Sequence, residues 1–130
     1  APFNILDRRL VASGWLARLH QAGTEIHIRS VFLQGLLLMD AANRPAKFNR
    51  WQAFWDEWHS WLIDHKLTPV QTCLGFVQSQ PEISRIVLGV DSLQHLTEII
   101  AASHLDSIAF PESLKCIDKA LVNPAEWEKL

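Results

Sequence analysis

Two short stretches of the chain carry the residue types that hold charged ligands. Arg29-Ser30-Val31-Phe32-Leu33-Gln34-Gly35 combines a cation, a hydroxyl, an amide and a glycine directly after an alternating segment. Gly89-Val90-Asp91-Ser92-Leu93-Gln94-His95-Leu96-Thr97-Glu98 runs from a second apolar segment into a helix start. In parallel α/β folds ligands gather beyond the carboxyl ends of strands, and a helix start offers free N–H groups and the positive end of its dipole. Phosphate binding is the chemistry these residue types imply. Plain capping by Asp91 or Ser92 is the commoner use of such a junction, and the Asp91 carboxylate would repel a phosphate held there.

The remaining reactive types are less specific. His27 on an alternating segment reads as a structural histidine. His20, His59, His65 and His104 read as solvent-facing helix residues without metal-ligand spacing. His95 falls on a first helical turn, where the dipole disfavours its protonated form. Cys73 and Cys116 have no Cys-x-x-Cys spacing and read as buried free thiols. The chain contains no tyrosine, so a mechanism that needs a phenolic proton donor cannot be run by it alone.

The elements that must position these residues belong to one domain of 130 residues, 48% of them hydrophobic. With 12 Lys+Arg against 14 Asp+Glu and no basic run, a nucleic-acid partner is not expected. Purely apolar runs such as 36–39 fall far short of the ~20 residues that span a bilayer, and no membrane association is expected. The first residues lack the order of a signal peptide, which reads as cytoplasmic.

Residues 2–6 are a short apolar run, a buried strand or its frayed end. Asp7 is placed to cap a helix with Leu10, Val11, Trp15 and Leu19 at helical spacing, and Gly23 stops it. Residues 25–30 alternate with period two, Ile26 and Ile28 on one face and His27 and Arg29 on the other. Trp51, Trp55, Trp58 and Leu62 mark one face of an aromatic helix over about 45–64, which spacing alone explains as core. Thr68-Pro69 starts another helix with Val70, Leu74 and Val77 buried. A second strand follows over 83–89, then a helix with Leu93, Leu96, Ile99 and Ile100 inward, a helix from Pro111 to about Leu121, and a last turn carrying Trp127. Strands alternating with helices predict a parallel α/β architecture.

Pro2-Phe3-Asn4-Ile5-Leu6-Asp7-Arg8-Arg9 and Gly23-Thr24-Glu25-Ile26-His27-Ile28-Arg29-Ser30-Val31-Phe32-Leu33-Gln34-Gly35-Leu36-Leu37 resemble the aldo/keto reductase family, in the stretch from its sixth to its seventh strand. Ile83-Ser84-Arg85-Ile86-Val87-Leu88-Gly89-Val90-Asp91-Ser92 and the helix after it are similar to the eighth-strand region. The branch found in bacterial surface-polysaccharide and spore-coat biosynthesis is the nearest in flavour. The resemblance implies the C-terminal part of a (β/α)8 TIM barrel, a fold of ~250 residues when whole. Residues 1–105 would supply barrel elements and 106–130 a C-terminal helical tail, in a single domain.

The resemblance also implies the site. Ser30 and Phe32 would cradle the pyrophosphate of NADP, with Gln34 and Gly35 in the loop above it, and Arg29 stands where an aromatic usually stacks on the nicotinamide. Gly89, Asp91, His95 and Glu98 match positions around the adenosine half. Glu98 keeps the family pattern, whereas Asp91 replaces a small hydroxyl, His95 a Gln and Ile99 an Asn. The implied cofactor is NADP, with NAD as the alternative, bound weakly or not at all by this chain alone. The family's Tyr acid, with its Asp, Lys and His, belongs to the part this chain lacks, so no residue here is assigned a catalytic role.

The functional expectation is therefore the cofactor-binding portion of an NADP-dependent carbonyl oxidoreductase, not catalytic by itself. The alternative is a non-catalytic module that self-associates through exposed strand edges and the Trp-rich helix, which the resemblance would put outside the barrel or at a partner surface. Either reading expects a homo-oligomer, or pairing with the missing half. A small helical binding protein stays open as a third arrangement, because short apolar runs fit strand or helix.

Overall fold

Ile26 and Ile28 are buried, and His27 and Arg29 on the opposite side are exposed, in the computed structural model of the chain. The structure describes residues 1–106, 110–116 and 118–130. Strand β1 is His27–Ile28 and strand β2 is Arg85–Ile86, paired in parallel with His27 opposite Arg85 and Ile28 opposite Ile86. On its other side β1 is continued by one parallel bridge between Pro2 and Arg29, where Phe3 N donates to Arg29 O at 3.1 Å.

The expected barrel part, with parallel strands alternating with helices, is not what forms. Of the described residues 53% are helical, and the two strands among them are two residues long. The alternating stretch 25–30 is cut short because the chain turns at Ser30, which adopts φ 63. Past Ile86 the ladder holds one more bond, Val87 N to Ile28 O at 2.9 Å. Helices α3 (Gln52–His65) and α4 (Pro69–Gln78) and the 3-10 segments Leu36–Leu38 and Ala46–Trp51 lie between the strands, in place of a single crossover helix.

The helices follow their sequence signals unevenly. The one expected after Asp7 breaks at Gly14, φ 78, into α1 (Arg9–Ala12) and α2 (Trp15–Gln21), and Gly23, φ 76, ends the second. Trp15, expected inward, is 54% exposed because the break rotates the second piece, and Leu16 is buried instead. Helix α4 begins with a reciprocal cap: Gln71 N donates to Thr68 Oγ1 at 3.2 Å and Thr68 N to Gln71 Oε1 at 2.9 Å.

The aromatic stripe is core. Trp55 and Trp58 on α3 are fully buried, Trp55 Nε1 donates to Phe48 O at 3.0 Å, and Trp51 Nε1 donates to Asp118 Oδ2 at 3.0 Å. The outward, partner-facing placement of these tryptophans is thereby overturned. Helix α5 (Leu93–Ala102) packs on α4 through Ile99 and Ala102. Leu93, Leu96 and Ile100, expected inward, are 79%, 39% and 53% exposed.

In the C-terminal region Leu114, Leu121 and Val122 are buried, and Cys116 N donates to Leu6 O at 3.0 Å. The helix expected over 111–121 is instead a 3-10 turn, Glu112–Leu114, and a short α6, Lys119–Val122. Residues 107–109 of the expected tail, and residue 117 of that helix, lie outside the described residues.

Candidate functional site

Beyond the carboxyl ends of β1 and β2 a cleft of about 630 Å³ opens. The loop after β1 contributes Arg29, Ser30, Phe32, Gln34 and Gly35, and the loop after β2 contributes Gly89, Asp91 and, from the first turn of α5, His95. Eight of the nine residues singled out in the sequence therefore line one cavity. The ninth, Glu98, lies outside that lining, exposed and accepting from Gln94 Nε2 at 3.4 Å. One turn beyond the start of α5, it is carried past the cleft.

The loop after β1 is tightly wound. Ser30, Leu33, Gln34 and Gly35 all have positive φ, at 63, 49, 56 and 82 degrees. Three of these are not glycine, and such conformations persist only where the surroundings enforce them. Asn4 does much of the enforcing. Its fully buried side chain donates to Ser30 O at 3.0 Å and accepts from Leu6 N at 3.0 Å and Asp7 N at 2.9 Å. Within the loop, Leu33 N bonds Ser30 O and Leu37 N bonds Phe32 O. Among the described residues no acceptor engages the N–H groups of Val31, Phe32, Gln34 or Gly35. Unengaged amides in a turn with residues at positive φ are of the kind that can hold an anion, and the Arg29 guanidinium lies 3.3 Å from Ser30 Oγ in the same loop.

The wall formed by β2 and α5 has a different character. Ser92 Oγ accepts from His95 N at 3.0 Å and caps the helix, so Asp91 is not needed for that task. Asp91 Oδ1 stands 3.3 Å from His95 Nδ1 without hydrogen-bond alignment, and its side chain is 92% exposed. The His95 ring lies 5.8 Å from the Phe32 ring and has both nitrogens shielded from solvent. Val31, Leu38, Val87, Leu88 and Val90 supply the apolar part of the lining. Sequence reasoning passed over them, and over Asn4, because nothing in a short apolar run distinguishes a cleft wall from core.

A second, open cavity of about 620 Å³ is lined by Leu38, Met39, Asp40, His59, Leu62 and Ile63 among others. Behind it Arg44 is buried with its guanidinium 4.1 Å from the centre of the Trp55 ring. Arg44 Nη2 donates to His59 Nε2 at 2.6 Å, which requires an unprotonated acceptor nitrogen. Burial, followed by the Arg44 charge, lowers the His59 pKa below its ordinary value, against smaller opposing effects of Asp56 and Asp40. Burial likewise pushes the Cys73 thiol up, which makes it a packing residue rather than a nucleophile.

Among the described residues no three His, Cys, Asp or Glu side chains cluster as metal ligands, and no helix is long and apolar enough to cross a membrane. No family model and no curated protein matches the sequence.

Proposed function

We propose that the cleft beyond β1 and β2 binds a nicotinamide dinucleotide, and that the chain is the cofactor-holding portion of an aldo/keto-reductase-like carbonyl oxidoreductase. The observation that carries this reading is the convergence of the two loops on one cavity: the loop after β1 brings a cation and free amides, the loop after β2 brings small and polar residues. A site of several hundred Å³ with apolar walls and a few polar groups has the character of a small-molecule pocket. Free amides of the tight loop and Arg29 suit the pyrophosphate, and Phe32 with the apolar residues suits a flat ring.

When bound, the nicotinamide would supply a hydride to a carbonyl carbon. This chain's residues would bind and orient the dinucleotide. The proton donor would come from outside it, since the chain has no tyrosine. The reading rests on the cleft and on the resemblance of its loops, and takes nothing from a barrel architecture.

The test uses the six tryptophans as donors in energy transfer to a bound reduced nicotinamide. Saturable transfer is expected, weakened in Arg29→Ala, with no carbonyl-dependent oxidation of the reduced dinucleotide by the chain alone. Absence of saturable binding overturns the cofactor reading, and turnover by the chain alone overturns the non-catalytic part.

A second reading is favoured by one separate observation. β2 has no neighbour on its outer side among the described residues, and Val87 at its end and Leu93, Leu96 and Ile100 on α5 are exposed. A second copy of the chain pairing at this edge would make it a self-associating module, without help from the buried tryptophans.

A further inference from the structure

The hydrogen bond from Arg44 Nη2 to His59 Nε2, 2.6 Å long, can run in one sense only. A guanidinium keeps its protons and donates, so the imidazole must be neutral and carry its own proton on Nδ1. The tautomer of His59 is thus set by its neighbour. Protonation of this ring adds a proton to Nε2, the atom that faces Arg44. Two positively charged donors then meet across the same short gap, and the contact cannot persist.

One partner has to move. Arg44 is held: it is buried, and its guanidinium lies 4.1 Å from the centre of the fully buried Trp55 ring. His59 is half-buried and borders the open cavity of about 620 Å³ between the end of α3 and the start of α4, so its side chain has room to rotate. Four charged groups surround the ring. Arg44 faces Nε2, Asp56 stands one turn earlier on α3, and Asp40 and Lys66 line the cavity. Asp56 accepts from Gln52 Nε2 at 2.8 Å and Asp40 from Asn43 N at 2.9 Å. Among the described residues neither carboxylate forms an ion pair with Arg44 or His59. Inside the cavity an imidazolium is attracted by Asp40 and repelled by Lys66, whereas against Arg44 it faces a cation at hydrogen-bond distance.

We propose that Arg44 and His59 form a proton-operated latch: neutral His59 closes on Arg44, and protonated His59 swings into the cavity bordered by Met39, Leu62 and Ile63, uncovering the guanidinium. The latch is separate from the cleft beyond β1 and β2 and does not depend on the dinucleotide reading. Burial, followed by the Arg44 charge, holds the His59 pKa below its ordinary value, so the latch is closed at neutral pH and opens on acidification.

The experiment is a pH titration of the full chain by NMR. It follows the ring nitrogens of His59 and the methyl group of Met39, the chain's one methionine, which lines the cavity. At neutral pH the His59 signals should be those of the Nδ1–H tautomer. As the pH falls the ring should titrate with a midpoint below the ordinary histidine value, and the Met39 methyl should shift with that same midpoint. His59→Gln keeps an acceptor for Arg44 but does not titrate, and the Met39 step that follows the histidine should vanish there. In Arg44→Met the His59 midpoint should rise. An Nε2–H tautomer at neutral pH, a Met39 methyl that ignores the His59 midpoint, or a step that survives in His59→Gln overturns the latch, as does an unchanged midpoint in a folded Arg44→Met. The first two outcomes are read on the wild type and hold whether or not Arg44→Met folds.

Discussion

Asn4 and His59 show how single polar side chains hold the two cavities in shape. Asn4 makes three hydrogen bonds from a fully buried position, one of them to Ser30 O in the strained loop. Replacing it by Ala strands two backbone donors, Leu6 N and Asp7 N, and leaves Ser30 O with Leu33 N alone, at about 1–3 kcal/mol for a buried group left unpaired. Asn4→Ala is therefore expected to lower the urea midpoint and also to weaken dinucleotide binding, because Ser30 is no longer held. Lost stability with unchanged binding would show that the loop holds itself. His59 works through its protonation state. Its pKa is lowered in the folded chain, so between the folded and unfolded values the unfolded chain binds more protons. The stability it contributes is present above the ordinary histidine pKa and is lost as pH falls through the lowered, folded value. Urea midpoints at two pH values, one above and one below that window, should differ more in the wild type than in His59→Gln. Equal pH sensitivity of the two proteins would remove His59 from the account.

At the scale of elements, α3 separates two tryptophans that sequence cannot tell apart. Trp55 and Trp58 are both fully buried, but Trp55 Nε1 has a partner in Phe48 O while Trp58 Nε1 finds no acceptor among the described residues. Trp55→Phe removes a buried hydrogen bond to Phe48 O, whereas Trp58→Phe removes an N–H that was already unpaired. Trp55→Phe should therefore cost about 1 kcal/mol more than Trp58→Phe in equilibrium unfolding, the order of one net hydrogen bond. The reverse order would show that packing volume, not hydrogen bonding, separates the two sites. That the stripe would be buried was readable from its helical spacing, and the Thr68-Pro69 start of α4 from its capping residues. Both signals are local. The length of the strands was not readable, since alternation over 25–30 says which face is buried but not where Ser30 turns the chain. The exposure of Leu93, Leu96 and Ile100 was also out of reach, because periodicity marks an apolar face without naming what covers it. Eight of the nine cleft positions line one cavity, since β1 and β2 pair in parallel and bring their following loops together. Glu98 fell outside because helical rise, not residue type, decides which turn of α5 still faces the cavity.

At the scale of the whole molecule, the described aromatic residues are buried or half-buried except Trp15, while several apolar side chains following β2 and on α5 are exposed. Val87 and Val90 after β2, and Leu93, Leu96 and Ile100 on α5, are all exposed, and among the described residues β2 has an unpaired outer edge. Isolated surface leucines are ordinary, but several exposed apolar side chains together with an unpaired strand edge offer apolar area and backbone hydrogen bonds to another chain. The net charge of −2 gives little electrostatic repulsion against association. Self-association is the expected outcome at ~0.1 mM, a concentration at which exposed apolar surface and strand edges reveal themselves. Leu93→Lys with Ile100→Lys should shift the sedimentation profile toward monomer while leaving the unfolding midpoint nearly unchanged, since neither side chain is buried in the single chain. The edge is tested separately by Val87→Lys, which keeps the Val87 N to Ile28 O bond but sets a charge where a second strand would lie. If the helix-face pair disperses the oligomer and the edge substitution does not, the association runs through α5 alone. A wild-type chain that sediments as a monomer throughout would leave the α5 face without a role in self-assembly.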